Sequence, residues 1–175
     1  VTTDKQVPIL FLDLDGTVRK GFDEIGKFVN CVGDVEIFPE VPKLIENYKK
    51  KGFRIVGITN QGDISLGLMT EQNLRENINR TNSLCDNKFD LILACQHHPD
   101  SHVKQMSRCF CRKPRIGNVV LACCLLGQRY RGEYYPPHIC LFVGDREEDR
   151  QCAENANIDF IWAKDWRKKK LEAMA

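Results

Sequence analysis

The apolar run Ile9-Leu10-Phe11-Leu12 ends directly in Asp13-Leu14-Asp15-Gly16-Thr17. Two carboxylates two residues apart at the end of a buried strand are costly to hold. Like charges repel, and the pair invites a cation or a shared proton. Strand side chains alternate faces, so Asp13 and Asp15 share one only until the chain turns. Gly16 supplies the backbone freedom for that turn. The pattern implies a metal-assisted reaction in which one carboxylate attacks and the other carries a proton.

Phosphoryl transfer needs a nucleophile in line, a proton donor for the leaving group, and cations against the phosphate oxygens. Each part has a candidate. Asp13 would attack phosphorus and form an aspartyl-phosphate. Asp15 would protonate the departing alkoxide, then deprotonate the water that releases phosphate. Thr59 and the amide of Asn60 follow a second apolar run and are expected to hold the transferring oxygens. Lys113 brings positive charge to the phosphate and to Asp13. Asp145, after Gly144, completes a hard oxygen site suited to magnesium. Asp149, one helical turn later, is expected to support that site from behind.

A second constellation is softer. Cys95-Gln96-His97 is followed, across a loop, by Cys109-Phe110-Cys111. Two close pairs of this kind supply what a tetrahedral Cys3His zinc site requires, and sulfur and imidazole suit zinc where carboxylates suit magnesium. With four ligands and no vacancy, such a site is structural. Its binding free energy, roughly 10–16 kcal/mol, is ample to order the loop Gln96–Phe110. Arg112 and Lys113 come next in the chain, so zinc would aim them. His98 and His102 are rival ligands; His98 would need a different loop path, and His102 is expected to face solvent. The chain has nine cysteines, an odd count that points to metal ligands and buried thiols rather than a disulfide scaffold. Cys31, Cys85, Cys123, Cys124, Cys140 and Cys152 read as small core residues.

These residues must be positioned by strands and helices. Ile9–Leu12, Arg54–Thr59, Phe89–Ala94, Ile139–Val143 and Phe160–Ala163 read as strands. Val41, Leu44, Ile45 and Tyr48 recur at helical spacing, which predicts a helix over Glu40–Lys51 ending near Gly52. Thr70 is placed to cap a helix through Thr81. Pro114 stands where another helix could begin, continued by Ile116–Leu126 and closed by Gly127. Glu147–Ala156 completes the helical set. Strand–helix alternation predicts an α/β fold, a three-layer Rossmann-like parallel sheet with helices on both faces. Residues 1–175 are read as a single domain with no large cap domain and a zinc-bound loop. Val18–Phe38 is a long mixed segment that could form a flap. Chemistry in such sheets collects at the carboxyl ends of strands, where Asp13, Thr59-Asn60, Cys95 and Gly144-Asp145 fall.

Composition narrows the classes. Of the 175 residues, 42% are hydrophobic and 29% charged, as in an ordinary globular protein. The net charge of +2 is too small to argue for nucleic acid or a membrane surface. The run Arg167-Lys168-Lys169-Lys170 reads as a solvated tail. No stretch approaches the roughly 20 apolar residues of a spanning helix, and the first ten residues carry no signal-peptide pattern. A monomer in the cytoplasm, acting on a small molecule, is expected.

The set resembles the haloacid dehalogenase-like phosphatase superfamily over nearly the whole chain. Asp13-x-Asp15-Gly16-Thr17 matches its first motif, Thr59-Asn60 its second, Lys113 its third and Gly144-Asp145-x-x-x-Asp149 its fourth. The resemblance implies that Asp13, the backbone carbonyl of Asp15 and Asp145 hold magnesium. The string Cys95-Gln96-His97-His98-Pro99 with Cys109-x-Cys111-Arg112-Lys113-Pro114 looks like the zinc-containing branch. That branch includes D-glycero-D-manno-heptose 1,7-bisphosphate 7-phosphatase and the histidinol-phosphate phosphatase domain. It implies zinc on Cys95, His97, Cys109 and Cys111, and substrate contact by Arg112. Arg146 is a weaker candidate for a second phosphate contact. One departure is the ending Asp159–Trp166, bulkier and more polar than the branch's valine-rich final strand. There Trp162 is read as core, and the segment faintly resembles polynucleotide 3'-phosphatases. The leading expectation is a magnesium-dependent phosphomonoesterase acting on a small metabolite, a heptose bisphosphate or histidinol phosphate. Its rivals are a polynucleotide 3'-phosphatase and a catalytically vestigial zinc-stapled interaction module.

Overall fold

The computed structural model describes residues 5–172. In chain order the elements are β1 (Lys5–Gln6), β2 (Ile9–Leu12), α1 (Phe22–Ile25), α2 (Val41–Lys50), β3 (Arg54–Asn60), α3 (Glu71–Leu84), β4 (Leu91–Cys95), α4 (Gly117–Arg129), β5 (Glu133–Tyr134), β6 (Leu141–Gly144), α5 (Glu147–Asn155), β7 (Asp159–Trp162) and α6 (Ala163–Glu172). Five strands form a parallel sheet in the order β4-β3-β2-β6-β7. Phe11 stands opposite Val56 on one side and Phe142 on the other.

Strand β2 is central and wholly buried, which is why its sequence is a continuous apolar run rather than an alternating one. Its side chains divide between two cores. Ile9 and Phe11 join Val56, Ile58, Phe142, Val119, Leu126 and Cys152, so α4 and α5 cover that face. Leu10 and Leu12 join Ile55, Leu44, Ile45, Val143 and Trp166, so α2 and α6 cover the other. Each fully buried aliphatic or aromatic side chain contributes roughly 1.5–3 kcal/mol of transfer free energy. Thr70 caps α3 as expected, accepting from the Asn73 N–H at 3.1 Å. Between β2 and α2 lie α1 and a 3-10 turn at Val32–Asp34, with no inserted sheet. Among the described residues no helix is long and apolar enough to cross a membrane.

Several expectations are corrected. Gly127 lies inside α4, which runs on to Arg129, because helix packing tolerates one glycine. Pro114 starts no helix; a turn intervenes before Gly117. Phe89 precedes β4 as a core anchor, and Ile139 closes a 3-10 turn before β6. Trp162 is 40% exposed, whereas Trp166 is fully buried on α6. Ala163 begins that helix rather than ending a strand, so the apolar anchor falls four residues further on. Cys31 and Cys124 are exposed and Cys123 half-buried; only Cys85, Cys140 and Cys152 of the scattered thiols are core. Arg167 is no solvated tail residue. Its guanidinium lies 3.8 Å over the Phe38 ring and donates to the Gly16 and Thr17 carbonyls at 2.9 Å.

Candidate active site

Chain order reverses at β2, whose neighbours are β3 on one side and β6 on the other. Such a switch point opens a crevice at the carboxyl ends of the strands. Asp13 enters it directly from β2, its N–H bonded to the Val143 carbonyl at 3.0 Å. Asp13, Asp145 and Asp149 bring carboxylate oxygens within 4.8 Å of one another. Lys113 joins them: its buried ammonium hydrogen-bonds Asp13 Oδ1, lies 2.6 Å from Asp149 Oδ1, and donates to the Ile58 carbonyl at 2.9 Å. The structure therefore gathers the first, third and fourth motifs around one point, and Thr59 of the second lines a cavity together with Asp13 and Asp149.

The charges there do not balance. Three carboxylates face one ammonium. Burial, and then Asp149 and Asp145, push the Asp13 carboxyl well above its usual range, against the pull of Lys113. Asp145 is pushed up to about 6, by burial first and then by Asp149. Burial alone would push Lys113 down; Asp13 and Asp149 outweigh it and hold the ammonium charged. Such a group of hard oxygens, short of positive charge, fits a small divalent cation such as magnesium. Two glycines keep the space. Gly16 has φ +83°, and a Cβ there would lie 2.1 Å from Asp145 Oδ2. A Cβ on Gly144 would strike Asp149 at 2.3 Å.

Asp149 is committed on both oxygens. Oδ2 accepts from the backbone N–H groups of Asp145 and Arg146 at 3.2 and 3.0 Å, and Oδ1 faces Lys113. Asn60 is committed too. Its side chain exchanges hydrogen bonds with the backbone of Lys113 at 3.0 and 3.2 Å and donates to Glu148 Oε1 at 3.0 Å. It locks the third motif to the second.

Asp15 shows what sequence reasoning missed. Arg19, fully buried, grips it with two N–H groups at 2.7 and 3.2 Å. Gln61 donates to the same carboxylate at 2.6 Å and to Thr59 Oγ1 at 2.8 Å. Arg19 lies four residues past Asp15 and Gln61 directly follows Thr59-Asn60, but neither spacing by itself marks a donor to Asp15.

A cavity of about 220 Å3 is lined by Asp13, Asp15, Thr59, Asn60, Gln61, Arg112, Arg146 and Asp149, together with Phe22, Phe28, Asn30 and His98. Gly21, Phe22, Phe28, Val29 and Asn30 of the Val18–Phe38 segment thus supply one wall. Arg146 is about half exposed, 4.0 Å from Asp145.

Cys95, His97, Cys109 and Cys111 also converge. Cys111 Sγ is 3.2 Å from Cys95 Sγ and 3.3 Å from His97 Nδ1, while Cys95 Sγ is 3.7 Å from Cys109 Sγ and 3.6 Å from His97 Nδ1. Zinc–sulfur and zinc–nitrogen bond lengths imply tetrahedral edges of about 3.6–3.8 Å; the two Cys95 distances to Cys109 and His97 match these, the two Cys111 distances are shorter, and the donor set suits zinc. Burial pushes the Cys95 thiol up, and only a cation would keep all three sulfurs ionised together. His98 and His102 are outside the cluster: His98 faces the cavity and His102 is exposed. Arg112 is tied to the cluster, its N–H on Cys109 Sγ at 3.4 Å and its guanidinium on the His97 carbonyl at 3.0 Å.

Comparison with known proteins identifies the family and the fold. The family described as polynucleotide kinase 3 phosphatase matches residues 8–168. D-glycero-beta-D-manno-heptose-1,7-bisphosphate 7-phosphatase of Escherichia coli K12 is 34% identical over 160 residues, covering 88% of this chain and 77% of that protein. The protein of that name from Yersinia pestis is also 34% identical, with 88% and 78% covered. A HAD-like phosphatase structure from Mesorhizobium loti superposes with TM-score 0.73 at 26% identity, covering 87% of this chain and 70% of that one. D,D-heptose 1,7-bisphosphate phosphatase from B. bronchiseptica, complexed with magnesium and phosphate, shares the fold with TM-score 0.69 at 24% identity and coverages of 88% and 79%. The chain is therefore a haloacid dehalogenase-like phosphatase, a phosphoric monoester hydrolase belonging to the family described as polynucleotide kinase 3 phosphatase.

Proposed function

We propose that the chain hydrolyses a small phosphorylated metabolite, foremost a sugar phosphate of the heptose bisphosphate kind, through an aspartyl-phosphate on Asp13. The observation that carries this reading is the meeting of Asp13, Asp145, Asp149 and Lys113 beside one small cavity that Asp15, Arg112 and Arg146 also line. The relatives' names support the substrate class. Residues 1–175 act as one phosphatase domain in this reading, in the cytoplasm, whose reducing conditions suit nine unpaired thiols.

Asp13 attacks phosphorus through the oxygen that Lys113 leaves free, and the bond from phosphorus to the leaving oxygen breaks. That oxygen takes the proton of the Asp15 carboxyl. In the second half, Asp15 accepts a proton from water as the water attacks phosphorus, and the Asp13–phosphorus bond breaks to release inorganic phosphate. Lys113 and the Thr59 hydroxyl face the transferring oxygens, and Arg112 and Arg146 contact the substrate. Magnesium, held by Asp13, the Asp15 carbonyl and Asp145 with Asp149 behind them, supplies positive charge against those oxygens when bound. Zinc on Cys95, His97, Cys109 and Cys111 braces the loop that carries Arg112 and Lys113.

The test is phosphate release from heptose bisphosphates, histidinol phosphate and 3'-phosphorylated oligonucleotides with magnesium, compared as kcat/KM, with Asp13→Asn as control. The sugar phosphate is expected to lead, and the variant to be inactive but folded. Best turnover of the oligonucleotide, with steep salt dependence, would replace this reading by the polynucleotide one. No turnover of any ester would mark a vestigial site.

A further inference from the structure

We infer that Arg19 is a positioning residue for proton transfer, holding the Asp15 carboxylate in the one orientation that leaves a single lone pair for the reaction. The inference rests on the proposed role of Asp15. Arg19 is fully buried and lines no part of the cavity, so it does not touch substrate. Its Nε donates to Asp15 Oδ1 at 2.7 Å and its Nη2 to Oδ2 at 3.2 Å. Its Nη1 donates to Thr81 Oγ1 at 3.1 Å, and the Thr81 hydroxyl donates to the Asn77 carbonyl at 2.8 Å. The guanidinium is thus braced from α3. Gln61 adds a third donor to Asp15, on Oδ2.

A carboxylate offers about four lone-pair positions. Three are filled here: both on Oδ2 and one on Oδ1. The remaining one, on Oδ1, is the only place where Asp15 can hold a proton without breaking a bond. The side chain keeps 26% of its surface exposed, and Asp15 lines the cavity. A planar fork fixes a carboxylate in direction as well as distance, which a lysine ammonium cannot do. Misplacement of a proton carrier by about 1 Å is worth roughly 100-fold in rate.

The test compares alkyl and aryl phosphates, because an alkoxide needs the proton from Asp15 and a nitrophenolate hardly does. Arg19→Lys and Arg19→Met are measured beside the wild type, Asp15→Asn, and the double variant of Asp15→Asn with Arg19→Lys. Arg19→Lys is expected to lower kcat/KM, which reads only the steps through departure of the leaving group, by about 10²-fold on the alkyl ester and by less than about 3-fold on the aryl ester. In the Asp15→Asn background the same change is expected to do nothing further to the alkyl-to-aryl ratio. An equal loss of kcat/KM on both esters, or a further change in that ratio without the Asp15 carboxylate, would assign Arg19 a merely structural role and overturn the inference. If Arg19→Met does not fold, Arg19→Lys and the double variant still decide. A ratio unmoved by Asp15→Asn itself would remove the role of Asp15, and that of Arg19 with it.

Discussion

Lys113 is the residue on which the site balances. Its ammonium is the partner of two buried carboxylates, and burying a charge without its partner is far costlier than any surface pair. Lys113→Met is expected to remove phosphatase activity by at least about 10³-fold. It should also destabilise the magnesium-free protein by about 3–5 kcal/mol, since Asp13 and Asp149 are left to repel; urea unfolding with and without magnesium measures this. Gly16→Ala should act differently. Its Cβ would collide with Asp145 Oδ2, and its φ of +83° disfavours any side chain. A loss of magnesium affinity with a modest cost in stability, about 1–2 kcal/mol, is expected and is read by titration calorimetry and thermal melts. Lys113, Asp13 and Gly16 were legible because each sits at fixed spacing beside a strand end or a thiol pair. Arg19 and Gln61 were not, because donating to Asp15 is a property of the folded turn and not of the residue type.

At the scale of elements, the strands were readable from their apolar runs, and the helices from periodicity and a cap. The short parallel pair β1–β5 was not, since two residues carry no period. What holds that pair to the main sheet is side-chain chemistry. Arg54 on β3 donates to both oxygens of Glu133 at 3.0 and 2.7 Å and lies 3.4 Å over the Tyr130 ring. The Arg54 pairing holds the Glu133 carboxyl below its usual range, with Tyr135 adding to it against burial. A carboxyl whose folded pKa is depressed stabilises the fold fully above its unfolded value, near 4.3. That stability is lost as pH falls through the folded value. Glu133→Gln should therefore cost about 1 kcal/mol at pH 7, with the gap from wild type closing as the pH is taken below about 4. Melts across pH 3–7 test it; a gap that widens in acid would contradict the pairing. Cys109→Ser should lose bound zinc by metal analysis and raise proteolysis in the loop before Arg112, because one ligand of four is gone.

For the whole molecule, the topology does what no local segment can. Aspartates 132 positions apart, Asp13 and Asp145, meet because β2 and β6 are adjacent in the sheet though distant in sequence. The α/β alternation made that neighbourhood legible, whereas the choice between Trp162 and Trp166 as the core anchor depended on where β7 yields to α6. The same topology keeps the two metal-type clusters chemically separate, carboxylates at the β2 and β6 ends and thiols at the β4 end. Magnesium held as proposed would bind only the folded chain, since no unfolded segment holds Asp13 and Asp145 together. At a concentration 100 times its dissociation constant it should stabilise by about 2.7 kcal/mol, or roughly 5–10 °C in Tm for a chain of this size. Asp145→Asn is expected to abolish that shift while metal analysis still finds zinc. A full magnesium shift in that variant would place the cation elsewhere, and loss of zinc with it would show that the two clusters fold as one.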